Sequence, residues 1–292
     1  MSERRATHTP QEGSARAGAG GPAERDKTNP DEAGPAERDN TNAEERGPAE
    51  RRNAKPEEAE DRAAPPRQRH PVSAEDRLRA RERVAAAGRR LAAERLVLGS
   101  SGNVSMRTGE LVAASASGAR LGELTAAEVV LVDLDGELVE GELEPTSELE
   151  LHLGIYRRFA SGAVVHTHSP MATALACVLD EVPVVHYAML ALGGVVPVAP
   201  YHTFGSRELA EATVAVLDGR RAALMANHGA IVHAAELEEA VELALLLEWA
   251  CGVWWHARAL GQPRTLDEHS QSQVLEQITR RRYGVPRRRG TA

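Results

Sequence analysis

Residues 73–96, SAEDRLRARERVAAAGRRLAAERL, set apolar positions at helical spacing behind a Ser/Asp-type start, which predicts an amphipathic helix. After it the pattern shortens to strand length. NVSMR (103–107), ELVAAS (110–115) and VVLVDL (129–134) read as strands, with DGE (135–137) as a hairpin turn. SELELHLGIYRRF (147–159) predicts a helix, AVVHTH (163–168) a strand, and MATALACVL (171–179) a further helix. VVPVAPY (195–201), AALMAN (222–227) and GAIVHA (229–234) read as strands ahead of a long helix over 236–260. Strands and helices alternate, yet no Gly-x-Gly-x-x-Gly or Walker loop follows any strand. The pattern predicts one α/β domain over residues 71–292 with a mixed or antiparallel sheet, and not a dinucleotide fold.

Residues 1–70 break this texture. They contain no aromatic residue, few large aliphatics and many Pro, Gly, Glu and Arg, so they are expected to be a disordered low-complexity extension. Within it a 13-residue unit recurs as GPAERDKTNPDEA (21–33), GPAERDNTNAEER (34–46) and GPAERRNAKPEEA (47–59). No copy has an apolar face to stack, so the repeat predicts duplicated extension and not a solenoid.

Charge and cysteine use narrow the function. A formal net charge of -8 over 292 residues argues against nucleic-acid binding. Two cysteines, Cys177 and Cys251, build neither a disulfide framework nor a thiolate zinc site, and a reducing, cytoplasmic setting is expected. The most apolar stretch, 241–255, is too short for a bilayer and carries Glu242 and Glu248, so no membrane partner is expected. The only lysines are Lys27 and Lys55, which removes Schiff-base chemistry unless an extension lysine reaches a site.

Candidate chemistry begins at His166 and His168. In a strand, residues two apart project from one side, so both imidazoles face one point. His228 lies in a tight Asn-His-Gly turn between two apolar strands, where a side chain faces a cleft more often than a core. Three imidazoles can close three corners of a tetrahedral metal site, and an open fourth position would make it catalytic. In EPTSELELH (144–152), Pro145, Thr146 and Ser147 form a helix entry whose hydroxyls cap a first turn or, with the free N–H groups, bind an anion. Glu148 is expected in that first turn, where a carboxylate serves as base or metal ligand. The polar loop Ser100-Ser101-Gly102-Asn103 and the turn SASG (115–118) are further backbone anion sites, though each alone is an ordinary loop.

Together these segments resemble the class II aldolase/adducin family, in particular its fuculose-phosphate aldolase branch. The matching stretches are GNVS (102–105), SASG (115–118), PTSE (145–148), VVHTHSPMATALA (164–176), PVVHYAMLALGG (183–194), APYHTFGSRELA (199–210) and NHGAIV (227–232), spanning about 75 to 265. The resemblance implies an α/β fold around a central, mostly antiparallel sheet flanked by helices, and a C4 homotetramer with zinc sites near its interfaces. It implies His166, His168 and His228 as zinc ligands. Glu148 would be both catalytic carboxylate and ligand of the metal-free site. Asn103, Ser117, Gly118, Thr146 and Ser147 would bind the substrate phosphate. Tyr187 matches a tyrosine that reaches a neighbouring subunit's site to handle the aldehyde proton. Ser117 and Thr146 exchange Thr and Ser relative to the usual family pattern, each keeping a hydroxyl. Tyr283, in a segment that aligns poorly, is the candidate for the family's C-terminal tyrosine.

The implied reaction is cleavage of a ketose 1-phosphate, fuculose-1-phosphate-like, to dihydroxyacetone phosphate and a small aldehyde. Breaking that bond leaves an enediolate, and without a lysine in the domain its charge needs a Lewis acid. The alternatives are a sugar-phosphate 4-epimerase, whose branch typically carries Asp where Glu148 stands, and a non-enzymatic adducin-like scaffold, against which the intact histidine set argues.

Overall fold

The computed structural model describes residues 71–281; the 1–70 extension with its repeats, and Tyr283, lie outside the described residues. The first helix, α1 (Ala74–Ala93), starts where Ser73 accepts a hydrogen bond from the Asp76 amide, and it buries Ala80, Val84, Ala87 and Leu91. That spacing is the apolar stripe of an amphipathic helix. There follow β1 (Asn103–Thr108), β2 (Leu111–Ser115), β3 (Val129–Asp133), β4 (Leu138–Glu140), α2 (Leu149–Arg158), β5 (Ala163–Thr167) and α3 (Pro170–Ala176). The chain continues through β6 (Glu181–Val182), β7 (Val196–Ala199), α4 (Arg207–Val216), β8 (Ala222–Met225), β9 (Gly229–Ala234), α5 (Leu237–Leu260) and α6 (Glu268–Arg281).

The nine strands form one sheet in the order β4-β3-β2-β1-β5-β9-β8-β7-β6. Every pairing is antiparallel except β7 with β8. Alternate residues of each strand serve opposite faces. Val104, Ala113, Leu131, Val165, Leu224 and Val232 pack against α1, α3 and α5. Their chain neighbours Val112, Val130, Val164, Ala223 and Ile231 pack against α2 and α4. Covering both faces explains why the central strands read as nearly continuous apolar runs.

Three details differ from expectation. The helix expected over 147–159 begins at Leu149, so Glu148 occupies the N-cap position, with no side-chain cap, instead of the first turn. Helix α3 ends at Ala176, because Cys177 caps it with an exposed side chain, which corrects its placement inside an apolar helix. Finally, α4, α6, β4, β6 and three short 3-10 turns lie outside the predicted elements. Helix α6 buries no residue, and its large apolar side chains are limited to Val274, Leu275 and Ile278. No helix among the described residues is long and apolar enough to cross a membrane.

Candidate active site

Three neighbouring strands, β1, β5 and β9, carry the centre of the site. In the sheet register Asn103 stands opposite His166, and His166 opposite Ile231, so Asn103 and His166 emerge side by side on the α2 face. His168 follows β5 immediately, and His228 sits in the β8–β9 turn behind Asn227, whose φ is 55°. Two glycines make this approach feasible. A Cβ at Gly229 would lie 2.3 Å from the Thr167 carbonyl oxygen and 3.3 Å from the His166 ring, and one at Gly102 would lie 2.8 Å from the His166 carbonyl oxygen. Any side chain there would force the loops off the imidazoles.

The second half of the site comes from two loops zipped together. Ser117 N–H donates to the Glu144 carbonyl (2.9 Å) and Thr146 N–H to the Ser115 carbonyl (3.1 Å), with a single bridge between Ala116 and Pro145. Ser117 and Gly118 therefore stand beside Thr146 and Ser147 at the entry to α2. The amides of Gly118 and Ser147 have no hydrogen-bond partner among the described residues. Thr146 Oγ1 accepts from the Glu148 amide (3.3 Å), which holds the loop closed over the carboxylate.

Glu148 is the meeting point. Its Oε2 accepts from Asn103 Nδ2 (2.9 Å) and lies 3.0 Å from His166 Nε2, while Oε1 lies 3.3 Å from His228 Nε2. The three imidazole rings face one another edge to face with centroids 4.7–4.9 Å apart, and one ring nitrogen from each lies within 4.8 Å of the others. Burial alone would raise the Glu148 carboxyl; the His166 and His228 imidazoles and the Asn103 amide outweigh it and hold the group well below the usual carboxylate range. Burial, reinforced by the neighbouring His166 and His228, lowers His168 to about 4, and burial likewise lowers His228. Both rings therefore keep lone pairs for a ligand.

A divalent cation fits this donor set. His166 Nδ1 lies 2.9 Å from the Ala230 carbonyl and must donate to it, so in the neutral ring Nε2 carries a bare lone pair. That lone pair is aimed at His168 Nε2 (2.9 Å) and at the Glu148 carboxylate (3.0 Å). Convergence of lone pairs and a carboxylate is repulsive until a positive charge joins them, a proton on the imidazoles or a metal ion, and Glu148 Oε1 is buried without a hydrogen-bond donor. Three imidazoles plus one displaceable carboxylate is a ligand set for a catalytic metal ion.

In front of the cluster lies a cavity of about 190 Å³ lined by the 100–103 loop, Ser117, Gly118, Thr146, Ser147, Glu148, His168, His228 and Phe204. Among the described residues it holds no Lys or Arg, so an anion there would be met by amides, hydroxyls and any cation the imidazoles hold. His166 is fully buried behind it. The remaining candidate, Tyr187, does not line the cavity: it opens a 3-10 turn (Tyr187–Leu192), is 54% exposed and stacks on His186. Four residues at or behind the site went unpredicted. Phe204 sits in a loop with no periodicity to betray it. Ser105, His152 and Tyr156 did carry a signal, because Ser105 lies two residues from Asn103 on a strand, and Glu148, His152 and Tyr156 recur every four residues on a helix.

The sequence model described as "Class II Aldolase and Adducin N-terminal domain" matches residues 82–255. A 5-deoxy-D-ribulose 1-phosphate aldolase of Bacillus thuringiensis serovar kurstaki is 37% identical over 201 residues, covering 68% of this chain and 94% of that protein. An L-fuculose phosphate aldolase of Escherichia coli K12 is 35% identical over 190 residues, 64% of this chain and 87% of the relative. A solved L-fuculose 1-phosphate aldolase superposes with a TM-score of 0.66 at 31% identity, covering 71% of this chain and 97% of its own. These three relatives, each matched over most of its own length, are named aldolases, carbon–carbon lyases, which supports an enzyme of that type.

Proposed function

Because the chain belongs to the class II aldolase and adducin family, we propose that it is a metal-dependent aldolase that cleaves a ketose 1-phosphate to dihydroxyacetone phosphate and a small aldehyde. The observation that carries this is the Glu148 carboxylate, held against His166 and His228 at the floor of a polar cavity that no Lys or Arg among the described residues lines. His166, His168 and His228 would hold the ion, proposed to be zinc, with Glu148 as a fourth ligand until substrate arrives. Bound there, the ion supplies Lewis-acid charge that offsets the negative charge left on the ketose fragment when its carbon–carbon bond breaks.

The chain's own groups do the rest. Asn103, Ser117, Gly118, Thr146 and Ser147 would bind the phosphate through hydroxyls, the side-chain amide and the unpartnered amides of Gly118 and Ser147. Glu148 returns a proton to the carbon that loses the aldehyde, and removes the same proton in the condensing direction. Tyr187, exposed on its turn, is available to a neighbouring copy in the homotetramer that this proposal includes, where its phenol would serve the aldehyde oxygen. The 5-deoxyribulose and fuculose phosphates acted on by the relatives define the substrates to try first.

Purified protein should release dihydroxyacetone phosphate from one of these phosphates, lose that activity to a chelator, and regain it with a divalent ion. Borohydride should leave it active, since no lysine follows Lys55. Interconversion of ketose phosphates without release of aldehyde would replace the aldolase by an epimerase, and chelator-resistant, borohydride-sensitive turnover would exclude the metal chemistry.

A further inference from the structure

Behind Glu148 runs a buried chain of hydrogen bonds whose direction can be read from one end to the other. A carboxylate only accepts, so Asn103 must present its NH2 to Glu148 Oε2, which turns Asn103 Oδ1 inward. There it meets His152 Nε2 at 2.5 Å, so His152 carries its proton on Nε2 and leaves Nδ1 bare. Ser105 Oγ, 2.7 Å from Nδ1, must then donate to it, and with its hydrogen spent accepts from the Tyr156 hydroxyl at 2.7 Å. His152 and Ser105 are fully buried, and Tyr156, Asn103 and Glu148 nearly so. Within this chain only Glu148 Oε1, the atom facing the metal cluster, lacks a donor.

We propose that His152, backed by Ser105 and Tyr156, is a positioning residue that locks the Asn103 amide in the one orientation that holds the Glu148 carboxylate against the metal cluster. This rests on the aldolase function proposed above. Without the imidazole N–H a half-turn of the Asn103 amide is opposed from one side only, by the Glu148 carboxylate, instead of from both. Its carbonyl would then face the carboxylate, which repels it and gives up the reactive geometry. The two periodicities make the device: residues two apart on β1 meet residues four apart on α2 and the α2 N-cap, so a strand pair and a helix stripe interlock along one line.

Two measurements test it. In the purified full-length chain, 15N spectra of the imidazoles, with His152 assigned by its disappearance in His152→Gln, should show a neutral Nε2–H tautomer between about pH 6 and pH 8. An Nδ1–H tautomer or an imidazolium would overturn the proposal. In ketose 1-phosphate cleavage, His152→Leu should lower kcat by about 10- to 100-fold with metal content retained, and KM should rise as well, because the Asn103 amide that turns is also a phosphate donor. His152→Gln, whose amide can donate to Asn103 and accept from Ser105, should recover kcat to within about threefold of wild type. A folded Leu variant with wild-type kcat, or a folded Gln variant as impaired as Leu, contradicts the positioning role. If the Leu variant does not fold, the spectrum and the Gln variant decide. If the wild type cleaves no ketose 1-phosphate, the proposed function fails, while the spectrum still upholds or overturns the orientation of Asn103.

Discussion

The two faces of the sheet are built from the same strands by opposite rules. On the α1, α3 and α5 face, Val104, Leu131, Val165, Leu224 and Val232 meet helices in an apolar layer that specifies the fold through packing. On the other face, α2 and α4 cover an apolar half around Val130, Val164 and Ile231. Beside it runs the polar line Tyr156, Ser105, His152, Asn103 and Glu148, ending at three histidines. An apolar layer tolerates small shifts at modest cost, whereas a buried polar line is stable only while every member is paired. Substitutions on the first face should therefore act on stability, and those along the polar line on chemistry.

The sharpest break is expected at His166. His166→Ala removes one of the three proposed metal ligands, so bound metal and turnover should both fall to background, read by elemental analysis and by dihydroxyacetone phosphate release. The opposite face supplies the control. Leu131→Ala should cost about 2–5 kcal/mol of unfolding free energy, measured by denaturant titration, while kcat/KM of the folded fraction stays close to wild type.

Acidification separates the faces without mutation. His152, lowered to about 3 by burial and the nearby His166, is taken up in neutral form on folding, whereas in the unfolded chain it titrates near 6.5. The unfolded state then binds more protons across that window, so stability is full above pH 6.5 and is lost as pH falls toward 3. His168 and His228 shift in the same direction. Glu148, also lowered, adds stability that is present above 4.5 and lost at more acid pH. In thermal melts His152→Gln should flatten part of this acid limb. The smallest effect belongs to Thr213 on α4, whose hydroxyl is fully buried with no partner. Thr213→Val should raise stability by about 1 kcal/mol without touching activity.

Legibility in the sequence followed these faces. The strands with apolar neighbours on both sides, β5, β8 and β9, and the long helix α5 were readable because burial on one or both faces leaves runs or stripes. His166 and His168 were readable by the strand period and His228 by its turn. Helix α6 was not, because it buries nothing, and the N-cap position of Glu148 was not, because one residue of helix onset leaves no trace in periodicity. His152, Ser105 and Tyr156 were missed although their spacing was visible, since their meaning depends on β1 and α2 facing each other across the sheet surface.

The central claim is that the carboxylate held at the metal cluster moves a carbon-bound proton. Dihydroxyacetone phosphate incubated with the wild-type protein in deuterated water, with no aldehyde present, should exchange one carbon-bound hydrogen. In Glu148→Gln that exchange should drop by about two to four orders of magnitude while the metal, held by the three imidazoles, is largely retained. Exchange undiminished in the variant, at equal metal content, would contradict the account and move the base away from Glu148.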